Sequence, residues 1–289
     1  MLNPPLSLLS DDLLNYIVDH VAELPYSDLD LLNLSITDRA FTRSCQAYIF
    51  KDINLGYSSR SKSYISKKLS KIGNILDEEP SIANRVRTVH LSVTHKWLFN
   101  DPDFNTIIQL LAKSLIPPHE LYLAGHWNSY IIEDPIFVVG WLRQSFFSQT
   151  LTVLDLVNCE NVPLTLFLVF PNLREVYLNY VKVFDFSDDG FPDTQCTGRE
   201  LPALECLNYH NSESLVKQMI TPPPKFSMAV VDWSKLRVLK LCAKEEDVVC
   251  LQSMLNVVCN TLEELYLSKP RMRYTMGGKM VILVDMTRI

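Results

Sequence analysis

The sequence predicts an α/β protein in two parts: an N-terminal three-helix module, then an irregular solenoid of strand-plus-helix units. Three observations carry that reading. The pattern L-x-x-L-x-L recurs from Val86 onward, the first 55 residues hold a helical leucine stripe, and leucine is abundant where glycine is scarce, 43 against 8 of 289 residues. Glycine supplies φ > 0 and close backbone approach, so its scarcity argues against phosphate-cradling loops. No G-x-G-x-x-G, G-x-x-x-x-G-K-[ST] or G-x-S-x-G occurs. A chain of this length can bury a sizeable core, and its composition excludes disorder, collagen and a small disulfide scaffold.

Residues 1–55 read as helical. Leu9, Leu13, Leu14, Ile17, Val18 and Val21 recur at three- and four-residue steps, the stripe of an amphipathic helix. Ser10 is placed to cap it, and Asp11 and Asp12 sit in a first turn where the helix dipole favours negative charge. A second helix carries Leu29, Leu31, Leu32, Leu34 and Ile36, and Phe41, Cys45, Tyr48, Ile49 and Phe50 mark a third. Helices this short cannot bury all that leucine alone, so some of it is expected to face a partner.

Residues 56–85 form a junction. Arg60, Lys62, Lys67, Lys68 and Lys71 are unopposed by any acid between Ile53 and Leu76, and on a helix they would oppose a face of Ile65, Leu69, Ile72 and Leu76. That pattern predicts a solvated helix face, with an anion-binding patch as the sharper alternative.

Residues 86–289 hold about seven degenerate units. The copies are Val86, Val89 and Leu91; Leu121 and Leu123; Leu151, Leu154 and Leu156; Leu173, Val176 and Leu178; Leu204, Leu207 and Tyr209; Leu236, Leu239 and Leu241; and Leu262, Leu265 and Leu267. Helix-like stretches lie between them at Phe104–Leu115, Ile136–Phe147 and Glu245–Val258. Each unit exposes leucines that only the next can cover, so the units must stack. Residues alternating with the buried leucines, Glu175, Tyr177, Glu205, Lys240, Glu264 and Tyr266, are expected on the opposite face as target-binding candidates.

The order of these features resembles a known family. Leu9-Ser10-Asp11-Asp12-Leu13-Leu14-Asn15-Tyr16-Ile17-Val18-Asp19-His20-Val21 looks like the opening of an F-box, Asp30–Phe41 its second stretch and Tyr48-Ile49-Phe50 its third. Asn158-Cys159 falls where leucine-rich repeats carry Asn or Cys. An F-box followed by leucine-rich repeats is similar to an architecture of the fungal F-box family. Two departures stand out: Ser10 replaces the usual proline and Asp12 the usual glutamate. The first removes a preset helix-start dihedral and bears on adaptor affinity rather than on the fold. The resemblance implies a substrate receptor of an SCF-type (Skp–cullin–F-box) ubiquitin ligase, not an enzyme. Its F-box would dock a Skp-type adaptor within the cullin assembly, and its solenoid would hold an unknown target protein. Leu9, Leu13, Leu14, Ile17, Leu31 and Leu32 are the adaptor-binding candidates, about half of them expected to pack the helical core instead. The rival is a leucine-rich interaction scaffold whose F-box has decayed and which has no ubiquitin role.

Net charge −6 and pI near 5.5 give no footprint for nucleic acid. The longest apolar runs, Ile136–Leu142 and Leu164–Phe170, are far shorter than the roughly 20 residues of a membrane span. Seven cysteines without a C-x-x-C pair read as reduced core thiols of a cytoplasmic or nuclear protein. No cofactor or metal is expected. Cys196, Cys206 and His210 make a poor zinc set. The stretch Asp185–Asp193 begins like an EF-hand loop but has Cys196 where the bidentate Glu belongs. No local signature supports Cys–His catalysis. After Pro270 the pattern breaks, and Val281–Val284 reads as an orphan strand that either covers the last unit or marks a cut end.

Overall fold

The computed structural model describes residues 9–24, 27–56, 61–93, 95–125, 131–132, 134–184, 200–222, 229–242, 248–269 and 285–288. Three helices come first: α1 (Asp11–Ala22), α2 (Ser27–Thr37) and α3 (Arg39–Ile49). Ser10 caps α1 as its position suggested, at φ −64° and ψ 151°, its Oγ accepting from Leu13 N at 3.3 Å. Asp38 caps α3 by accepting from Ala40 N at 2.9 Å. The core between them is small: Leu14, Val18, Leu31, Phe41 and Cys45, with Leu9, Ile17, Val21, Leu34 and Ile49 packed around it. The Tyr48 hydroxyl donates to Asp19 at 2.8 Å and the Ser44 hydroxyl to Asn15 at 2.6 Å, fastening α3 to α1.

The rest is mixed α/β around one nine-stranded sheet. Its strands are β1 (Asp52–Asn54), β2 (Thr88–Ser92), β3 (Glu120–Ala124), β4 (Val153–Val157), β5 (Glu175–Asn179), β6 (Cys206–His210), β7 (Val238–Cys242), β8 (Glu264–Lys269) and β9 (Asp285–Arg288). They stand in sequence order, β1 to β8 parallel and β9 antiparallel on β8. Parallel neighbours need a crossover between them, and helical segments lie in most of these connections. These are α4 (Lys62–Glu78), α5 (Pro80–Ala83), α6 (Pro102–Ala112), α7 (Pro135–Gln144), α8 (Phe147–Thr150), α9 (Glu213–Ile220) and α10 (Val248–Val258), with 3₁₀ turns at Lys96–Asn100 and Leu164–Val169.

The repeated leucines fall into register across the sheet. Val89, Leu121, Leu154, Val176, Leu207, Leu239 and Leu265 form one inward file, and Leu91, Leu123, Leu156, Leu178, Tyr209, Leu241 and Leu267 the next. Both files join Leu69, Ile107, Leu142, Val216 and Met254 of the helices in a single apolar cluster, so the helices cover this face. Ile65, Leu69 and Leu76 of α4 are buried there, and Lys67 and Lys71 point to solvent.

One further copy precedes the seven. Ile53 pairs with Val89, and Phe50-x-x-Ile53-x-Leu55 repeats the pattern inside the segment read as helical. Glycine is scarce partly because other residues take left-handed positions. Directly after β4, β5 and β6 stand Asn158 (φ 51°), Tyr180 (φ 56°) and Asn211 (φ 49°), and asparagine tolerates that region through local hydrogen bonding. One residue later, the buried Ser212 hydroxyl accepts from Val181 N at 2.9 Å and donates to His210 O at 2.9 Å. At the same step after β4, the buried Cys159 thiol lies 3.6 Å from Leu123 O and 3.4 Å from Val157 O. Polar groups thus stitch one unit to the next. The EF-hand-like stretch, Cys196, Arg60 and Val281–Val284 lie outside the described residues.

Candidate binding surfaces

The helical module leaves apolar side chains in solvent. Among the six adaptor-binding candidates, Leu13 and Leu32 are exposed, while Leu9 and Ile17 are half-buried against the small core. Leu14 and Leu31, at 4% and 2% exposure, lie inside that core and present no surface, a correction to their assignment as contact residues. The 3.6-residue turn is the cause: Leu14, Val18 and Leu31 share the faces on which the helices meet. The exposed positions instead add Tyr16 at 69%, Leu29 at 64% and Ile36 at 77%. Leu29, Leu32 and Ile36 run i, i+3, i+7 along α2, one stripe of a helix. The signal was present in the sequence, since α2 carries more apolar residues than one face can hold.

The sheet face opposite the helices is polar. Its central file runs Asn54, His90, Tyr122, Asp155, Tyr177, Asn208, Lys240 and Tyr266. A flanking file holds Thr88, Glu120, Val153, Glu175, Cys206, Val238 and Glu264. Five target-binding candidates lie on strands of this face: Glu175, Tyr177, Lys240, Glu264 and Tyr266. The Tyr177 hydroxyl donates to Glu175 at 2.8 Å, and the Tyr266 hydroxyl bonds Glu264. Lys240 Nζ stands 5.1 Å from the centroid of the Tyr266 ring. At the other end the Thr88 hydroxyl donates to Glu120 at 2.9 Å, and the His90 and Tyr122 rings are 4.8 Å apart.

Glu205 does not belong to this face. Leu204 and Leu207 both point inward three residues apart, so strict alternation breaks between them, and Cys206 takes the register position of Glu175. Glu205 lies instead at the strand entry, in a row of alternating charge: Arg174 pairs with Glu205 at 3.6 Å and Arg237 with Glu263 at 3.0 Å. Beside that row is an open depression of about 500 Å³ lined by Lys235, Arg237, Asn260 and Glu263.

Burial sets the proton affinities on the polar face. Asp155 is pushed up to about 6 by desolvation. The Tyr177 hydroxyl is raised by burial and by its bond to Glu175. The Cys206 thiol is raised by burial, then by Glu175. His90 is lowered by burial, with Asp52 and Glu120 pulling it back. The fully buried Cys159 thiol is pushed up to about 12 by desolvation, which suits packing rather than nucleophilic attack. Among the described residues no group of three or more His, Cys, Asp or Glu side chains could hold a metal ion, and no helix is long and apolar enough to cross a membrane. The two surfaces differ in chemistry: one is apolar and helical, the other bears carboxylates and tyrosines on a sheet.

Glu120, Tyr122 and Asp155 were missed as candidates. A signal for the first two is the repeated Glu-x-Tyr-Leu of 120–123, 175–178 and 264–267. No protein-family model matches the chain, and a search of the curated proteins finds no match.

Proposed function

We propose that the chain is a non-enzymatic F-box adaptor with leucine-rich-repeat units, the substrate receptor of an SCF-type ubiquitin ligase in the cytoplasm or nucleus. The observation that carries this reading is the apolar surplus of α1 and α2. Leu13, Tyr16, Leu29, Leu32 and Ile36 stand in solvent around a five-residue core, and an exposed apolar helix stripe is the usual half of a helix-in-groove contact. The Skp-type adaptor takes that stripe. The stacked strand-plus-helix units hold the target protein on the polar face. Ser10 supports the reading in place of proline: its φ of −64° is already the value proline would impose, about −65°, and its hydroxyl adds a capping bond.

The test is co-purification of the full-length chain with a purified Skp-type adaptor and cullin scaffold. A stable complex is expected. If the full-length chain fails to bind and Ser10→Pro restores binding, the natural protein is a weakened receptor. If neither binds, it is a scaffold without a ubiquitin role.

A further inference from the structure

We infer that the polar sheet face receives a cationic, arginine- or lysine-bearing extended segment of its partner, seated at Asp155, Glu175 and Tyr177. The inference rests on the proposed placement of the target on this face and names the chemistry of what binds there.

Strand spacing is the first part of the argument. Neighbouring strands stand about 4.8 Å apart, so Asp155 on β4 and Tyr177 on β5, register partners, present a carboxylate beside a ring, with Glu175 two residues along on the same face. Charge is the second. Across β3 to β6 this face carries Glu120, Asp155 and Glu175 and neither lysine nor arginine. Among the described residues no cation pairs with Asp155, so its half-buried carboxylate stands uncompensated between Tyr122 and Tyr177, with Glu120 and Glu175 in the flanking file. Such a site attracts cations and repels anions.

The third part is an internal example of the contact. On β8 the same Glu-x-Tyr arrangement recurs as Glu264 and Tyr266, and the preceding strand supplies Lys240, whose ammonium lies over the Tyr266 ring. An ammonium or guanidinium over a tyrosine face next to a carboxylate is a favourable cation–π and ion-pair site. On β5 the arrangement is Glu175 and Tyr177, and the position equivalent to Lys240 is Asp155. Where β7 brings its own cation, β4 brings another acid, so the cation must come from outside. Arginine suits the place best, because its planar fork pairs two carboxylates while stacking on a ring.

The experiment uses the full-length chain and a fluorescein-labelled peptide of alternating arginine and serine, against the same peptide with citrulline for arginine, read by anisotropy at low and high salt. The arginine peptide is expected to bind at least tenfold tighter than the citrulline peptide, and more weakly in high salt. The double change Asp155→Asn with Glu175→Gln is expected to remove at least tenfold of that affinity. Glu78→Gln, which alters net charge on the exposed face of α4, is expected to leave it unchanged. Equal binding of the two peptides, retained binding by the double variant, or an equal loss in Glu78→Gln would overturn the inference. The same preparations are tested for the Skp-type adaptor: adaptor binding without peptide selectivity defeats this inference alone, and peptide selectivity without adaptor binding defeats the adaptor role alone. Asp155→Asn is isosteric and removes a half-buried charge, so an unchanged or raised melting temperature reports the variant as folded.

Discussion

The two halves of the molecule treat leucine in opposite ways. In the sheet body the inward leucines of inner strands meet the same position of the next strand under a covering layer of helical segments, so Leu121, Leu154, Leu207 and Leu239 are all fully or almost fully buried. In the helical module five side chains make the core, while Leu29, Leu32 and Ile36 lie in water. Repetition is the difference. A stack covers each unit with its neighbour, whereas three short helices have too much surface for their volume. The same residue type is buried core in one half and stands exposed in the other, and the exposed set is what the proposed adaptor contact would use.

That contrast is open to direct attack. The largest effect belongs to the ladder: Leu178→Ala should lower unfolding free energy by about 3 kcal/mol in urea titration, whereas Ile36→Ala on the helical stripe should cost under about 0.5 kcal/mol. Similar losses for the two would erase the distinction.

Next comes the uncompensated acid on the polar face. Asp155 has its folded pKa raised from the ordinary 3.8 to about 6, so the folded state binds more protons than the unfolded state between those values. Stability contributed by the neutral acid is full below about pH 4 and is lost as pH rises through about 6. Asp155→Asn should therefore stabilise the chain by about 2 kcal/mol at pH 7.5, flatten the pH 4–6 slope of the melting temperature, and do little at pH 4. An unaltered slope would mean that Asp155 is solvated in the folded protein.

A smaller effect is expected at Tyr180, a bulky residue at φ 56°. Left-handed backbone costs an L-residue about 1 kcal/mol or more that asparagine largely avoids. Tyr180→Asn should stabilise by about 1 kcal/mol in thermal unfolding, less whatever the edge-on contact with His210, 5.1 Å between centroids, contributes. A loss of stability would show that the ring contact outweighs the backbone cost.

How far the sequence reached follows the same division. The ladder was legible because a two-residue period and leucine side chains coincide, and all seven copies stand in register. The copy at Phe50, Ile53 and Leu55 was hidden because it has one leucine and follows a helical stripe without a break. Glu205 was misplaced because alternation holds only from Cys206 onward; the residues between Leu204 and Leu207 belong to the strand entry. In the helical module, the spacing of Leu31 and Leu32 shows two apolar faces but not which one the neighbouring helices take. Asp155 and Tyr177 could not be joined by sequence, because 22 residues separate partners that a shared register brings side by side.

The most direct measurement is a calorimetric titration of the full-length chain with a purified Skp-type adaptor, for the natural protein and for Leu32→Asp with Ile36→Asp. The account predicts binding by the natural chain, a loss of about 2 kcal/mol or more, roughly 30-fold in affinity, in the double variant, and an unchanged urea unfolding curve. Absent binding by the natural chain, or equal binding by the variant, would contradict it.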